Sequence, residues 1–159
     1  MFVKGTYPIT QLQAQFEKKL SLAIREIADY FIQACSKQIE SGQFPGHKGV
    51  GLTYRGQLLQ NLRIDQNEPL LKSVISDTPY SAALNFGRQP GKMPPVQPLE
   101  EWFRLKIHLD PAEAKKAAWA LAHKIKNEGM DPKPFFTTAA LQTMNPDVVT
   151  GILRKHFEH

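Results

Sequence analysis

A run of apolar residues at helical spacing, from Thr10 to Ser41, restricts the fold of this chain more than any other feature. Thr10 is the expected N-cap of this helix, and Gly42 is the residue expected to end it. Spacings of three and four are typical of an amphipathic α-helix and not of a β-strand. The apolar positions are Leu12, Phe16, Leu20, Ile24, Ile27, Phe31, Cys35 and Ile39.

The length of this helix bears on assembly. At about 1.5 Å per residue it extends over roughly 45 Å, more than a small domain needs for its own core. Part of its surface is therefore a candidate for packing against a neighbouring subunit. A core helix with a solvated outer face explains the same pattern equally well, so the sequence leaves both interpretations open.

Short strands follow the helix. Gln43–Gly56 is rich in glycine and reads as a loop with at most a brief extended piece. Leu62–Asp65 and Leu71–Ser76 have strand character, and the five residues between them are too few for a parallel crossover. An antiparallel hairpin is the expected arrangement.

The second half of the chain predicts further helices. A short helix over Tyr80–Phe86 is ended by Gly87, and Gly87–Gln97 has too many prolines and glycines for regular structure. Longer helices are expected from Pro98, from Asp110 to about Gly129, and from Asn145.

These elements predict an α+β fold. A small antiparallel sheet is expected to be packed by the long N-terminal helix and by two or three further helices. The length of 159 residues and the 42% of hydrophobic residues suit a single domain over residues 1–159.

The sequence contains no recognisable catalytic constellation. The five histidines fall in no metal-binding motif, and no phosphate-binding glycine motif is present. Glu100 and Glu101 open a helix, where carboxylates complement the helix dipole. The one cysteine, Cys35, is expected to be a buried thiol inside the first helix. We therefore expect no enzyme activity, no cofactor and no metal.

The net charge of +5 permits a nucleic-acid partner without indicating one. The basic residues are scattered along the chain, whereas a nucleic-acid footprint is normally a clustered patch. No signal-peptide core or membrane-length apolar run is seen, so we expect a chain made in the cytoplasm that does not cross a membrane.

Three segments, over 56–64, 78–87 and 121–141, contain short motifs in a fixed order. The first has a glycine, a leucine two residues later, and then a small polar residue followed by an apolar one. The second contains a tyrosine and a phenylalanine–glycine element, and the third an isoleucine, a glycine and a proline–phenylalanine element. Together these motifs resemble the neck and tail-component proteins of tailed bacteriophages. The sequence departs from the family pattern at Asn61, Ser81 and Asn85, where serine, alanine and an acid are usual.

The resemblance implies a structural virion protein, a neck or tail-completion subunit at the head–tail junction. Its partners would be its own copies in a ring of six or twelve, and an adjacent connector, tail terminator or tail-tube protein. DNA would pass through the lumen without sequence-specific binding. The basic Gly/Pro-rich loop and the motif before it would supply the contacts, through Arg88, Lys92, Met93, Pro94, Pro95, Tyr80 and Phe86.

Two alternatives come from other classes of protein. A basic phage accessory protein that contacts DNA predicts duplex affinity with a steep salt dependence. A small phage nuclease or cell-wall hydrolase would need paired acids, metal ligands or a nucleophile with a base, which the sequence does not display.

Overall fold

A computed structural model describes residues 9–44, 47–48 and 57–158 and has an α+β fold. This confirms the fold class predicted from the sequence. The elements are α1 (Ile9–Ser41), β1 (Gln43–Phe44), β2 (His47–Lys48), α2 (Gln57–Gln60), β3 (Leu62–Glu68), β4 (Leu71–Ser76), α3 (Ser81–Phe86), α4 (Val96–Lys106), α5 (Pro111–Glu128), α6 (Phe135–Thr143) and α7 (Pro146–Phe157).

Helix α1 has 33 residues, and its bounds agree with the predicted ones to within one residue. Of the predicted stripe, Phe31, Cys35 and Ile39 are buried, whereas Leu12 and Phe16 are exposed. The helix ends where expected, because Gly42 adopts a φ of 61°, which glycine tolerates without strain. The predicted N-cap is wrong by at least one position. The helix already includes Ile9, so Thr10 lies inside its first turn.

The predicted hairpin is confirmed as β3 and β4, paired antiparallel with Leu62 opposite Ser76 and a bulge between Asp65 and Glu68. Strands β1 and β2 form a separate two-residue ladder in the glycine-rich loop. The remaining residues of that loop, 45–46 and 49–56, lie outside the described residues.

The main core forms against the C-terminal half of α1. Helix α6 and the β3–β4 hairpin pack on this half, and α7 lies along a neighbouring face of the same helix. The buried side chains are Phe31, Ala34, Cys35, Ile39, Leu58, Leu62, Phe135 and Ala139.

Helices α4 and α5 form an antiparallel pair that packs mainly on itself. Ala114, Ala118 and Ala122 are buried at intervals of four residues on α5, and such small side chains let α4 approach closely. The predicted start of α5 is confirmed, since Asp110 accepts hydrogen bonds from the backbone N–H groups of Ala112 and Glu113.

Helix α6 was not predicted as a separate element. Its N-cap position is Pro134, which provides no side-chain cap. Asn85 on α3 provides the missing acceptor: its Oδ1 accepts from the N–H groups of Phe136 (2.9 Å) and Thr137 (3.2 Å). Its Nδ2 donates to Thr137 Oγ1 at 3.0 Å. A side chain distant in sequence therefore starts this helix.

Within the described residues, no helix combines the length and the apolarity needed to cross a bilayer.

Candidate functional site

The loop predicted to make contacts, Gly87–Gln97, begins where its backbone is hydrogen-bonded to the segment that follows α5. We call this backbone connection the joint. Arg88 and Met130 exchange backbone hydrogen bonds in both directions, each 2.8 Å long, and form an isolated antiparallel bridge. The Gly91 N–H donates to the Lys126 carbonyl at 2.7 Å. The first part of the loop is thus fixed to the end of α5 by its own backbone.

Two glycines make this joint possible. A Cβ on Gly87 would lie 2.7 Å from the Met130 carbonyl oxygen, and a Cβ on Gly129 would collide with the Arg88 carbonyl oxygen. Both glycines also have positive φ, at 75° and 81°. The two chain segments therefore cross backbone against backbone, which only glycine permits at these positions.

The structure separates the predicted contact residues into inward-facing and outward-facing groups. The Arg88 guanidinium donates to the Lys92 carbonyl of the same loop, so it stabilises the loop from within. Lys92 and Pro95 are exposed, whereas Met93 and Pro94 are half-buried. Phe86, at the end of α3, is 76% exposed.

Tyr80 belongs to the core and not to the exposed surface. Its ring packs against the buried cluster on α1, and burial raises the pKa of its phenol above the ordinary value. Its buried hydroxyl has no hydrogen-bond partner among the described residues. Of the predicted contact residues, Phe86, Lys92 and Pro95 are the ones that the fold leaves exposed.

A second exposed surface is the N-terminal end of α1, and sequence reasoning did not single it out. Residues 9–18 are all exposed, and Ala23 is the first buried residue of the helix. Ile9, Leu12 and Phe16 on this end are 73%, 54% and 55% exposed. The only signal in the sequence was the length of the helix, because these residues continue the same stripe that fills the core.

Helix α7 lies beside this surface and runs antiparallel to α1. The Phe157 ring at its end is 5.3 Å from the Phe16 ring. Farther along, Glu26 Oε1 accepts from Lys155 Nζ at 2.8 Å, and Glu26 Oε2 lies 2.8 Å from His156 Nε2. The hydrogen bonds from Lys155 and then His156 lower the pKa of the Glu26 carboxyl.

A groove of about 480 Å³ opens between α1 and the first turns of α7. Its apolar lining includes Tyr30, Val148 and Ile152, and three carboxylates, Glu26, Asp29 and Asp147, line it as well. Gly151 occupies the middle of α7 at this groove, and a Cβ placed there would meet no atom within 4 Å.

The described part of the chain offers few side chains that could bind a metal ion or act as a nucleophile. No cluster of three or more His, Cys, Asp or Glu side chains is placed there to hold a metal ion. The prediction for Cys35 is confirmed, since the thiol is fully buried and its burial raises its pKa to about 12. At neutral pH it is a protonated thiol and a poor nucleophile.

Comparison of the chain with protein families, with curated proteins and with solved structures found no match.

Proposed function

We propose that this protein is a structural subunit of a tailed-phage virion, which assembles with its own copies into a ring at the head–tail junction or the tail end. The proposal starts from the resemblance of residues 56–141 to neck and tail-component proteins. It describes a protein that acts by binding its neighbours and leaving a channel for DNA, and not by catalysis.

The observation that carries the proposal is the exposed apolar end of α1. Three large apolar side chains stand on a helix that extends beyond its own core. Contiguous apolar side chains at a protruding end are typical of a surface that another protein covers. A ring subunit needs such a surface, whereas an isolated globular protein gains nothing from it.

A second contact, to the adjacent ring or to the tail tube, is assigned to Phe86 and Lys92. Phe86, the last residue of α3, is the most exposed large apolar residue of the described chain, and Lys92 is exposed on the loop that follows. Aromatic side chains are enriched in the centres of protein interfaces. The backbone joint at Arg88 and Met130 holds this loop in a defined position.

The distribution of cations favours this function over DNA binding. Basic side chains on four separate elements are engaged in ion pairs with carboxylates, among them Arg25–Asp29, Arg63–Asp77, Lys124–Glu128, Arg154–Glu158 and Lys155–Glu26. A duplex-binding face would instead concentrate uncompensated cations on one side.

The test is the molar mass by light scattering, for the chain alone and mixed with the tail-tube protein or the adjacent connector. A closed ring of six or twelve copies, alone or only with the partner, supports the proposal. The double variant Phe86→Ser/Lys92→Ser should weaken binding to the partner protein without changing the mass of a ring formed by the chain alone.

A chain that ignores both partner proteins but binds duplex DNA, with affinity falling steeply as salt rises, would overturn the proposal. That result would support the DNA-contacting accessory protein instead, because release of counterions from phosphates produces this salt dependence.

A further inference from the structure

Two surfaces are left open by the residues that the structure describes. The first is the exposed end of α1 with Ile9, Leu12 and Phe16, and the second is the groove between α1 and α7. Phe16 is covered only in part by Phe157, and α1 continues for about two turns beyond that contact. Within residues 9–44, 47–48 and 57–158, no segment covers either surface.

The groove contains a glycine that the chain itself does not require. Gly151 lies in the middle of α7, where glycine is less favourable than alanine because it loses more conformational freedom. Its backbone is not in the left-handed region, and nothing lies near enough to crowd a Cβ. The open space above Gly151 suits the close approach of a segment from outside the chain.

The charges of the two surfaces are complementary. Ile9–Phe16 contains no charged residue, Glu17 is the first acidic residue of the chain, and Lys18 and Lys19 follow it. The N-terminal end of a helix also carries a partial positive charge. In the groove, Glu26 is paired with Lys155 and Asp29 with Arg25, whereas Asp147 forms no ion pair with a described residue. The apolar helix end therefore meets an apolar groove whose remaining negative charge is Asp147.

The end of α1 cannot fill the groove of its own chain. Phe16 and Tyr30 lie on the same helix, and 14 residues of helix separate them by roughly 21 Å. A second copy of the chain carries the same helix end without this restriction.

We propose that Ile9, Leu12 and Phe16 of one copy dock into the groove of a second copy, over Tyr30, Gly151 and Ile152. The contact joins two different surfaces, so it is heterologous and can close into a ring. The inference rests on the proposed function for its ring and deepens it by naming the surfaces that join neighbouring subunits.

The experiment changes the helix end and the groove by substitution, one surface at a time, in the full chain. Ile9→Glu/Leu12→Glu places carboxylates on the helix end, and Gly151→Trp fills the groove. The matched control is Leu141→Glu/Met144→Glu, which changes two exposed apolar residues outside both surfaces, one in the last turn of α6 and one directly after it. Circular dichroism and thermal unfolding show whether each variant is folded.

Sedimentation and light scattering then measure self-association over a range of concentrations. The helix-end and groove variants should each associate at least about tenfold more weakly than the wild type, because a carboxylate or an indole is forced into the contact. The control should associate like the wild type. If Gly151→Trp does not fold, Asp147→Asn is the second groove variant, expected to weaken association severalfold with a reduced dependence on salt.

The deciding sample is an equimolar mixture of the helix-end variant and the groove variant. The groove variant supplies an intact helix end, and the helix-end variant supplies an intact groove. The mixture should therefore form a dimer of one copy of each variant and no larger assembly. A mixture that stays monomeric while the wild type assembles, or a control that loses assembly, overturns the proposal. So does a wild type that remains monomeric at every concentration.

These outcomes are distinct from failure of the proposed function. A capped dimer from a chain that ignores the tail-tube protein and the connector would leave the docking intact and overturn the virion role. A ring that forms with those partners and tolerates both the helix-end and the groove changes would do the reverse.

Discussion

The two halves of α1 have the same sequence pattern and opposite environments. In the C-terminal half, Phe31, Cys35 and Ile39 are buried under α6 and the hairpin. In the N-terminal half, Ile9, Leu12 and Phe16 continue the stripe and remain more than half exposed. An amphipathic stripe therefore specifies a helix and its apolar face. It does not specify whether that face packs against the same chain or against another one.

The largest effect is expected in the buried half. Ile39→Ala removes a fully buried side chain and leaves a cavity, so the free energy of unfolding should fall by about 2–5 kcal/mol. Chemical denaturation of the monomer measures this directly. A loss below about 1 kcal/mol, typical of an exposed position, would contradict the division of α1 into two halves.

Asn85→Ala tests the helix that covers the buried half. The change removes the acceptor for the N–H groups of Phe136 and Thr137 and should cost about 1–3 kcal/mol of unfolding free energy. Asn85→Asp keeps an acceptor at the same place and is the matched control. Equal losses in both variants would show that the capping interaction contributes little.

Glu26 lies between the two halves of α1, and we expect it to make the stability of the fold depend on pH. Its folded-state pKa is lowered below 4.5, so the ionised carboxylate stabilises the fold above that pH, and the contribution disappears as the pH falls through the lowered value. The side chains are partly exposed, so Glu26→Gln should cost only roughly a few tenths of a kcal/mol at neutral pH.

Thermal unfolding of the wild type and of Glu26→Gln, from neutral pH down to about pH 2, measures this difference. The two midpoints should converge in acid. A difference that stays constant with pH would mean that the glutamine changes packing and not the ion pair with Lys155 and His156.

The smallest effect is expected in the exposed half. Leu12→Ser should change the free energy of unfolding of the monomer by less than about 0.5 kcal/mol, because more than half of this residue stays exposed in the isolated chain. Denaturation at a concentration where the chain is monomeric is the measurement. A loss comparable to that of Ile39→Ala would show that another part of the same chain covers this end.

Much of the secondary structure was encoded locally and could be predicted. The stripe of α1, the hairpin, and the caps at Asp110 and Asn145 all depend on residues within a few positions of one another. Helix α6 was missed because its N-terminus has a proline at the cap and takes its acceptor from Asn85, about fifty residues earlier. Local patterns cannot display a partner at that distance.

Local patterns also could not show which of the predicted contact residues the fold leaves exposed. Arg88 and Tyr80 are types of residue common at interfaces, yet one binds the carbonyl of its own loop and the other packs in the core. The groove at Gly151 arises from the packing of α7 on α1, which no spacing in either helix reveals.

The crossing at Gly87 and Gly129 has a mechanical consequence for the α4–α5 pair. Among the described elements, α4 and α5 pack mainly on each other, and the Arg88–Met130 bridge joins the two chain segments that lead to them. We therefore expect the pair to move as one unit about this narrow connection, with the turn between Ile107 and Asp110 moving farthest.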